Sequence, residues 1–311
     1  MPLALQNKRR SILPGFGISM GYTTLYLSLI VIIPLAGLFF KSATLSRADL
    51  WRNLSDPDLI ASLKLTFGLS LLAGIINVVF GFIAAWTMVR YPFPGRKLLD
   101  ALIDLPFALP TAVSGITLAT LYSRNGWLGG PWKSFALHAN NFMDSIHLTS
   151  LLAWLHVPAD FRVFPEQIAY TRLGMLIALI FIGVPFMVRT LEPALDDMDP
   201  EIEEAAASLG ATRRQAFWRV VLPSLMPAVV TGFSLSFARA IGEYGSVIFI
   251  SANIPGESQI TAHLIMKKLE NNDEPAATLL GVVMLAVSFA LLVSINGIQY
   301  WSSRRSRGGV V

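Results

Sequence analysis

Six stretches of this 311-residue chain contain no Asp, Glu, Lys or Arg: residues 11–40, 65–89, 105–123, 173–188, 220–238 and 275–303. Most of them reach the roughly 18–20 apolar residues that an α-helix needs to cross the hydrocarbon of a bilayer. No water reaches the backbone there, so each segment must satisfy its peptide groups internally, as a helix. Only 14% of the residues are charged, against about a quarter in a soluble domain. The sequence therefore predicts an all-α polytopic membrane protein with six spans, near 21–40, 65–89, 102–122, 173–190, 224–250 and 277–300.

A net charge of +4 and a pI near 9.4 invite a nucleic-acid reading, but the bases flank the apolar runs and form no stripe, which argues against one. Six spans put both ends on one side. That side collects 13 of the Lys and Arg residues, among them Lys8, Arg9, Arg10, Arg90, Arg96, Lys97, Arg304, Arg305 and Arg307, and the opposite loops hold 10 over longer stretches. The bias of bases toward the inside then predicts both termini in the cytoplasm. The run after Lys8, Arg9 and Arg10 is longer than a signal-peptide core and five more spans follow, so the first span is expected to be retained. Cysteine is absent, which excludes disulfides, thiolate metal sites and a cysteine nucleophile.

The chain divides into a tail (1–20), a first span with its external loop (21–58), a core of spans two to six (59–300) and a C-terminal tail (301–311). An external insertion over about 126–172 is read as a loop, with an interfacial helix in 145–159. His138, His147 and His156 recur every nine residues there. On a helix that spacing turns neighbours to opposite faces, unlike metal ligands at i, i+4, so solvated imidazoles are expected.

Residues 196–223, between spans four and five, are the most informative. Asp199 can cap a helix that starts at Pro200, with Glu201, Glu203 and Glu204 near its positive end. Ile202, Ala205, Ala206 and Leu209 share a face, and Gly210 stops the helix. Thr212 and Gln215 then form a capping box for a second helix with a face of Ala216, Phe217, Val220 and Val221, which Pro223 is expected to curtail. A short helix surfaced by alanine suits entry into a groove on another protein.

Glu204-Ala205-Ala206, three residues, Gly210, nine residues, then Val220-Val221-Leu222-Pro223 resembles the E-A-A-x3-G-x9-I-x-L-P signature of permease subunits of bacterial ABC importers, with Val220 in place of the usual Ile. The stretches from Leu13, Gly21, Asp104 and Arg239 are further similar to T-type permeases of sulfate/thiosulfate importers, over nearly the whole chain except 130–170. The resemblance implies a type I importer fold in an inner membrane, with Glu204, Ala205, Ala206, Gly210, Leu222 and Pro223 in a coupling helix that docks on an ATP-binding subunit. It also implies a homologous second permease subunit, two ATP-binding subunits and an external sulfate-binding protein. Molybdate permeases share the signature and stand as the alternative.

The chain has no G-x-x-x-x-G-K-[ST] phosphate loop, so ATP and Mg would be bound by the partner, with no catalytic residue, cofactor or metal on this chain. In the spans, Arg239 and Glu243 are ionisable groups at a costly depth and point to an anion pathway, with a structural lock between helices as the equal alternative. Pro106 and Pro110 suggest a kinked third span presenting Thr111 and Ser114, either to the pathway or to interhelical packing. A stand-alone secondary transporter would call for intramembrane acids on broken helices in two matching halves, and neither is evident. A membrane scaffold is disfavoured by the docking loop and by Arg239 and Glu243. The topology is testable with single cysteines at Ser11, Ser145, Gln259 and Ser303. Only those at 145 and 259 are expected to react with an impermeant reagent, and external labelling at 303 would refute the arrangement.

Overall fold

The computed structural model describes residues 15–145 and 165–307, whose regular elements are all helical. They are α1 (Phe16–Ser42), α2 (Arg47–Leu54), α3 (Pro57–Arg90), α4 (Arg96–Ala108), α5 (Thr111–Tyr122), α6 (Gly129–Ser145), α7 (Arg172–Asp196), α8 (Pro200–Ser208), α9 (Arg213–Ile241), α10 (Gly245–Ile250), α11 (Thr261–Glu270) and α12 (Glu274–Arg307). Helices α1, α3, α7, α9 and α12 are each long and apolar enough to cross a membrane; α4 and α5 together would make a sixth crossing, broken by a bend of 116°.

The long helices begin and end for local reasons. The carboxylate of Asp56 accepts a hydrogen bond from the Asp58 amide and Pro57 occupies the first turn of α3, a good start because proline lacks only a donor that would be orphaned there. Helix α3 then runs 34 residues with no internal proline and stops where Tyr91, forced to extended geometry by Pro92, leaves the helical region.

Four expectations need correction. The third span is not one kinked helix over 102–122: Pro106 is accommodated inside α4, and the chain turns sharply at Leu109, whose extended geometry (φ −92°, ψ 136°) is what a residue preceding Pro110 prefers. The fifth span does not run 224–250; it starts at Arg213, ends at Ile241 and resumes as α10 after a break at Gly242, Glu243 and Tyr244. Nor does Pro223 curtail the preceding helix. A π-helical turn at Phe217–Val221 carries the chain through it, widening the backbone where the proline ring would meet the carbonyl four residues back. The insertion near 126–172 is also more than loop, since α6 forms with Pro131 in its first turn. The interfacial helix expected in 145–159, with His147 and His156, lies outside the described residues apart from Ser145; His138 is exposed on α6, its Nδ1 2.6 Å from the Ser134 carbonyl.

Helices α3, α7 and α9 form the core. Ser62, Thr66, Ser70, Gly74, Asn77, Gly81 and Ala85 recur at helical spacing on the buried face of α3. Such small side chains let helices approach closely in a solvent as apolar as their own side chains. At the tightest point the Asn77 amide donates to Ser236 Oγ (2.9 Å), and a β-carbon on Gly183 would overlap both. Toward Arg90 the core is filled by Met88, Met187, Leu191, Leu195, Val221 and Leu225. Toward the other end Ala73, Met175, Leu179, Ala240 and Val247 meet, joined by Ile260. Helix α1 stands outside this core and lies along α12, with Lys41 and Glu274 paired at 2.8 Å.

Replacing Gly183 by Val is expected to lower the thermal stability of the detergent-solubilised protein by about 1–3 kcal/mol, the usual cost of overpacking. The same replacement at Gly68, where a β-carbon would meet nothing within 4 Å, is the control and is expected to leave stability near that of the parent.

Candidate functional site

The segment joining α7 to α9 folds as its residues dictate. Asp199 accepts from the Glu201 amide (2.9 Å) and Pro200 opens α8. Helix α8 ends at Ser208, and Gly210 follows with φ +81°, a left-handed conformation that a β-carbon would penalise. Thr212 and Gln215 form the reciprocal capping box that starts α9. The face expected from Ile202, Ala205, Ala206 and Leu209 is divided: Ala206 is buried, while Ala205 is exposed, Ile202 is 43% exposed and Leu209 89% exposed. Glu204 is also exposed, whereas Leu222 is half-buried and Pro223 exposed at the base of the π-turn. The loop therefore holds one alanine inward and presents apolar side chains outward.

Two residues that the sequence reading used only as a topology marker and a dipole partner tie this loop to the core. Arg90, the last residue of α3, forms an ion pair with Glu203 of α8. Its guanidinium also lies 5.2 Å from the centre of the Trp86 ring, a cation–π contact. Trp86 stacks on Phe82, and both meet Phe217 of the π-turn edge-on, at 5.7 and 5.9 Å between ring centres.

The spans bring Arg239, Glu243, Thr111 and Ser114 into one region, because the break after α9 packs against the break before α5. A β-carbon on Gly245 would overlap Thr111 Oγ1, and Gly115 lies against the Ser246 backbone. Ser114 is buried in this contact. Arg239 Nη1 pairs with Glu243 Oε2 at 2.5 Å. The other carboxylate oxygen of Glu243 accepts from the Ser246 amide (2.8 Å) and hydroxyl (3.0 Å). Glu243 is thus buried and fully engaged in starting α10, while the side chain of Arg239 is 32% exposed.

A second charged group escaped the sequence reading. Arg189 on α7 meets Asp104 (2.6 Å) and Asp100 (2.7 Å) of α4 as well as Glu192 (2.7 Å) of its own helix. Arg189, Asp100 and Glu192 line a cleft of about 710 Å³ with Arg96, Lys97, Asp196 and Asp197. The legible signal was Asp100 and Asp104 at i, i+4, one face of an amphipathic α4.

Residues 77–308 match the family described as binding-protein-dependent transport system inner membrane component. The chain belongs to this family and is a multi-pass inner-membrane permease subunit of an ABC transporter, not itself an ATPase. It is 44% identical to the sulfate transport system permease protein CysT of Escherichia coli K12, over 96% of this chain and 98% of the relative. It is 43% identical to the protein of that name from Synechocystis sp. PCC 6803, over 96% and 94% of the two chains. Among solved structures, a bacterial ABC transporter involved in the import of the acidic polysaccharide alginate has the same fold, with a TM-score of 0.67 at 17% identity over 91% of this chain and 94% of that one.

Beside the break, His263 of α11 stacks on Tyr244 with ring centres 6.5 Å apart, and its Nδ1 is buried without a hydrogen-bond partner. Burial pushes the imidazole below its ordinary value of 6.5, aided by Lys267 and opposed by Glu270. Because the folded state prefers the neutral ring, this contribution to stability is present above pH ~6.5 and is lost as pH falls through the lower folded value. Thermal unfolding at pH 7.5 and pH 5 is expected to show a smaller acid-induced loss in His263→Phe than in the parent.

Proposed function

We propose that this chain carries sulfate into the cytoplasm by alternating access, as one of two homologous permease subunits, with α8 as the coupling helix. Two ATP-binding subunits, which hold ATP and Mg, would dock on the loop built from Glu204, Ala205, Ala206, Gly210, Leu222 and Pro223. An external sulfate-binding protein would deliver the anion, and both termini would lie in the cytoplasm. The observation that carries this reading is the full-length likeness to sulfate transport system permeases. The exposed Leu209 and Ile202 beside a glycine-terminated α8 support it, since an apolar helix face needs a partner to cover it.

Within the spans, we propose that Arg239 faces the passing dianion and that Thr111 and Ser114 line the same passage. Glu243, already bound by Arg239 and Ser246, positions the guanidinium and offsets its charge. An unpaired arginine at the centre of a span costs about 2.5–3.5 kcal/mol or more, so the pair keeps the cation tolerable while leaving one side of it free.

Copurification and uptake test the reading together. The assembled complex is expected to contain ATPase subunits and to accumulate radiolabelled sulfate. Gly210→Asp should abolish uptake and weaken the hold on the ATPase subunits, because a carboxylate would enter the docking groove in a conformation that disfavours it. Arg239→Gln should retain assembly and lose uptake by at least tenfold. Normal uptake in Gly210→Asp would overturn the docking assignment, and normal uptake in Arg239→Gln would overturn the pathway.

A further inference from the structure

Helix α3 is fastened at both of its ends, and the two fastenings are chemically different. At one end Arg90, over the Trp86 ring, is paired with Glu203 of α8. At the other end Thr66 Oγ1 accepts from the amide of Thr261, the first residue of α11, and the hydroxyls of Thr66 and Thr261 lie 3.2 Å apart. The hydroxyl of Thr261 also reaches Ser62 Oγ at 3.3 Å. Ser62, Thr66 and Thr261 are all buried, so these bonds are shielded from competing water. Between the fastenings α3 has neither a proline nor a π-turn, whereas α7 carries Pro185 and Pro193 and α9 carries Pro227 and a π-turn. Kinks gather at such features, so α3 lacks the features that kink the other two core helices. At 1.5 Å per residue its 34 residues span about 50 Å, longer than the hydrocarbon layer.

We infer that α3 is a strut linking α8 to α11, with Arg90 as the positioning residue that makes movement of the coupling helix shift the face carrying Lys267 and Lys268. The inference rests on the reading of α8 as the coupling helix and adds to it the route by which its movement reaches the far side. The guanidinium Nε of Arg90 is buried and has no partner, so its hold on α8 runs through the carboxylate of Glu203. The contact is therefore one that a charge change breaks and a charge exchange can rebuild. The aromatic group of Phe82, Trp86 and Phe217 keeps the π-turn of α9 against the same end of α3, so α8 and the π-turn both hold the face of the strut that carries Phe82, Trp86 and Arg90.

The complete complex, reconstituted in lipid vesicles, provides the test. Since the chain has no cysteine, Lys267→Cys is a unique probe on α11, and its maleimide labelling rate is read with and without ATP and vanadate. The parent is expected to change its labelling rate at least threefold on trapping. Arg90→Glu and the milder Arg90→Gln should lose that change and lower sulfate taken up per ATP hydrolysed. Arg90→Glu combined with Glu203→Arg should restore both. An unaltered ATP response in Arg90→Gln, or an exchanged pair that restores neither readout while the ATPase subunits remain bound, overturns the strut. Gly210→Asp separates the two levels: if it keeps coupled uptake, the docking reading itself fails, whereas if it loses uptake and Arg90→Gln behaves as the parent, only the strut fails.

Discussion

Within the core of α3, α7 and α9, the Asn77 amide bonds to Ser236 across a gap kept open by the missing side chain of Gly183. Three spans meet at this point, and the positions of the other helices follow from it. Because lipid tails are as apolar as leucine, hydrophobicity does not hold spans together; close packing and the few interhelical hydrogen bonds do. The contact sets how near α3, α7 and α9 approach. It thereby sets where Arg90 stands beneath α8 and where the end of α9 meets α5.

Broken helices are the second organising device. Leu109 and Pro110 interrupt one crossing, and Gly242, Glu243 and Tyr244 interrupt another. A break in hydrocarbon leaves backbone donors and acceptors exposed, which is tolerable only where protein or a cavity covers them. Here each break helps to cover the other, with Gly115 against Ser246 and Glu243 bonded to the first turn of α10. The arrangement places an arginine near chain segments that are free of the regular ladder, where small adjustments of backbone are least costly.

Much of this was readable in the sequence, for identifiable reasons. Charge-free runs locate helices because the membrane leaves no other choice, and the caps at Asp199 and Thr212 and the stop at Gly210 are local chemistry that needs no tertiary context. The route through Pro223 was not legible, because a π-turn has the composition of any helix. The end of α9 at Ile241 was marked only by Gly242, Glu243 and Gly245, a weak signal beside the apolar run that resumes at Val247 and reaches Ile250. Arg90 with Glu203, and Arg189 with Asp100 and Asp104, were invisible as pairs, since these partners lie on distant parts of the chain and only the fold brings them together.

The π-turn at Phe217–Val221 also fixes the phase of everything beyond it. Such a turn amounts to one additional residue within an otherwise regular helix, and one residue is about 100° of rotation around the axis. Upstream of it the capping box faces the loop; downstream Leu225, Val229, Ser236 and Ala240 face the core. Ironing the turn out to regular α-helix by removing a residue would spin the remaining five turns of the span as a unit. Ser236 would leave Asn77, and Arg239 would turn away from its place beside the break. The bulge thus works as an angular offset that lets one continuous helix serve two partners whose faces are not aligned.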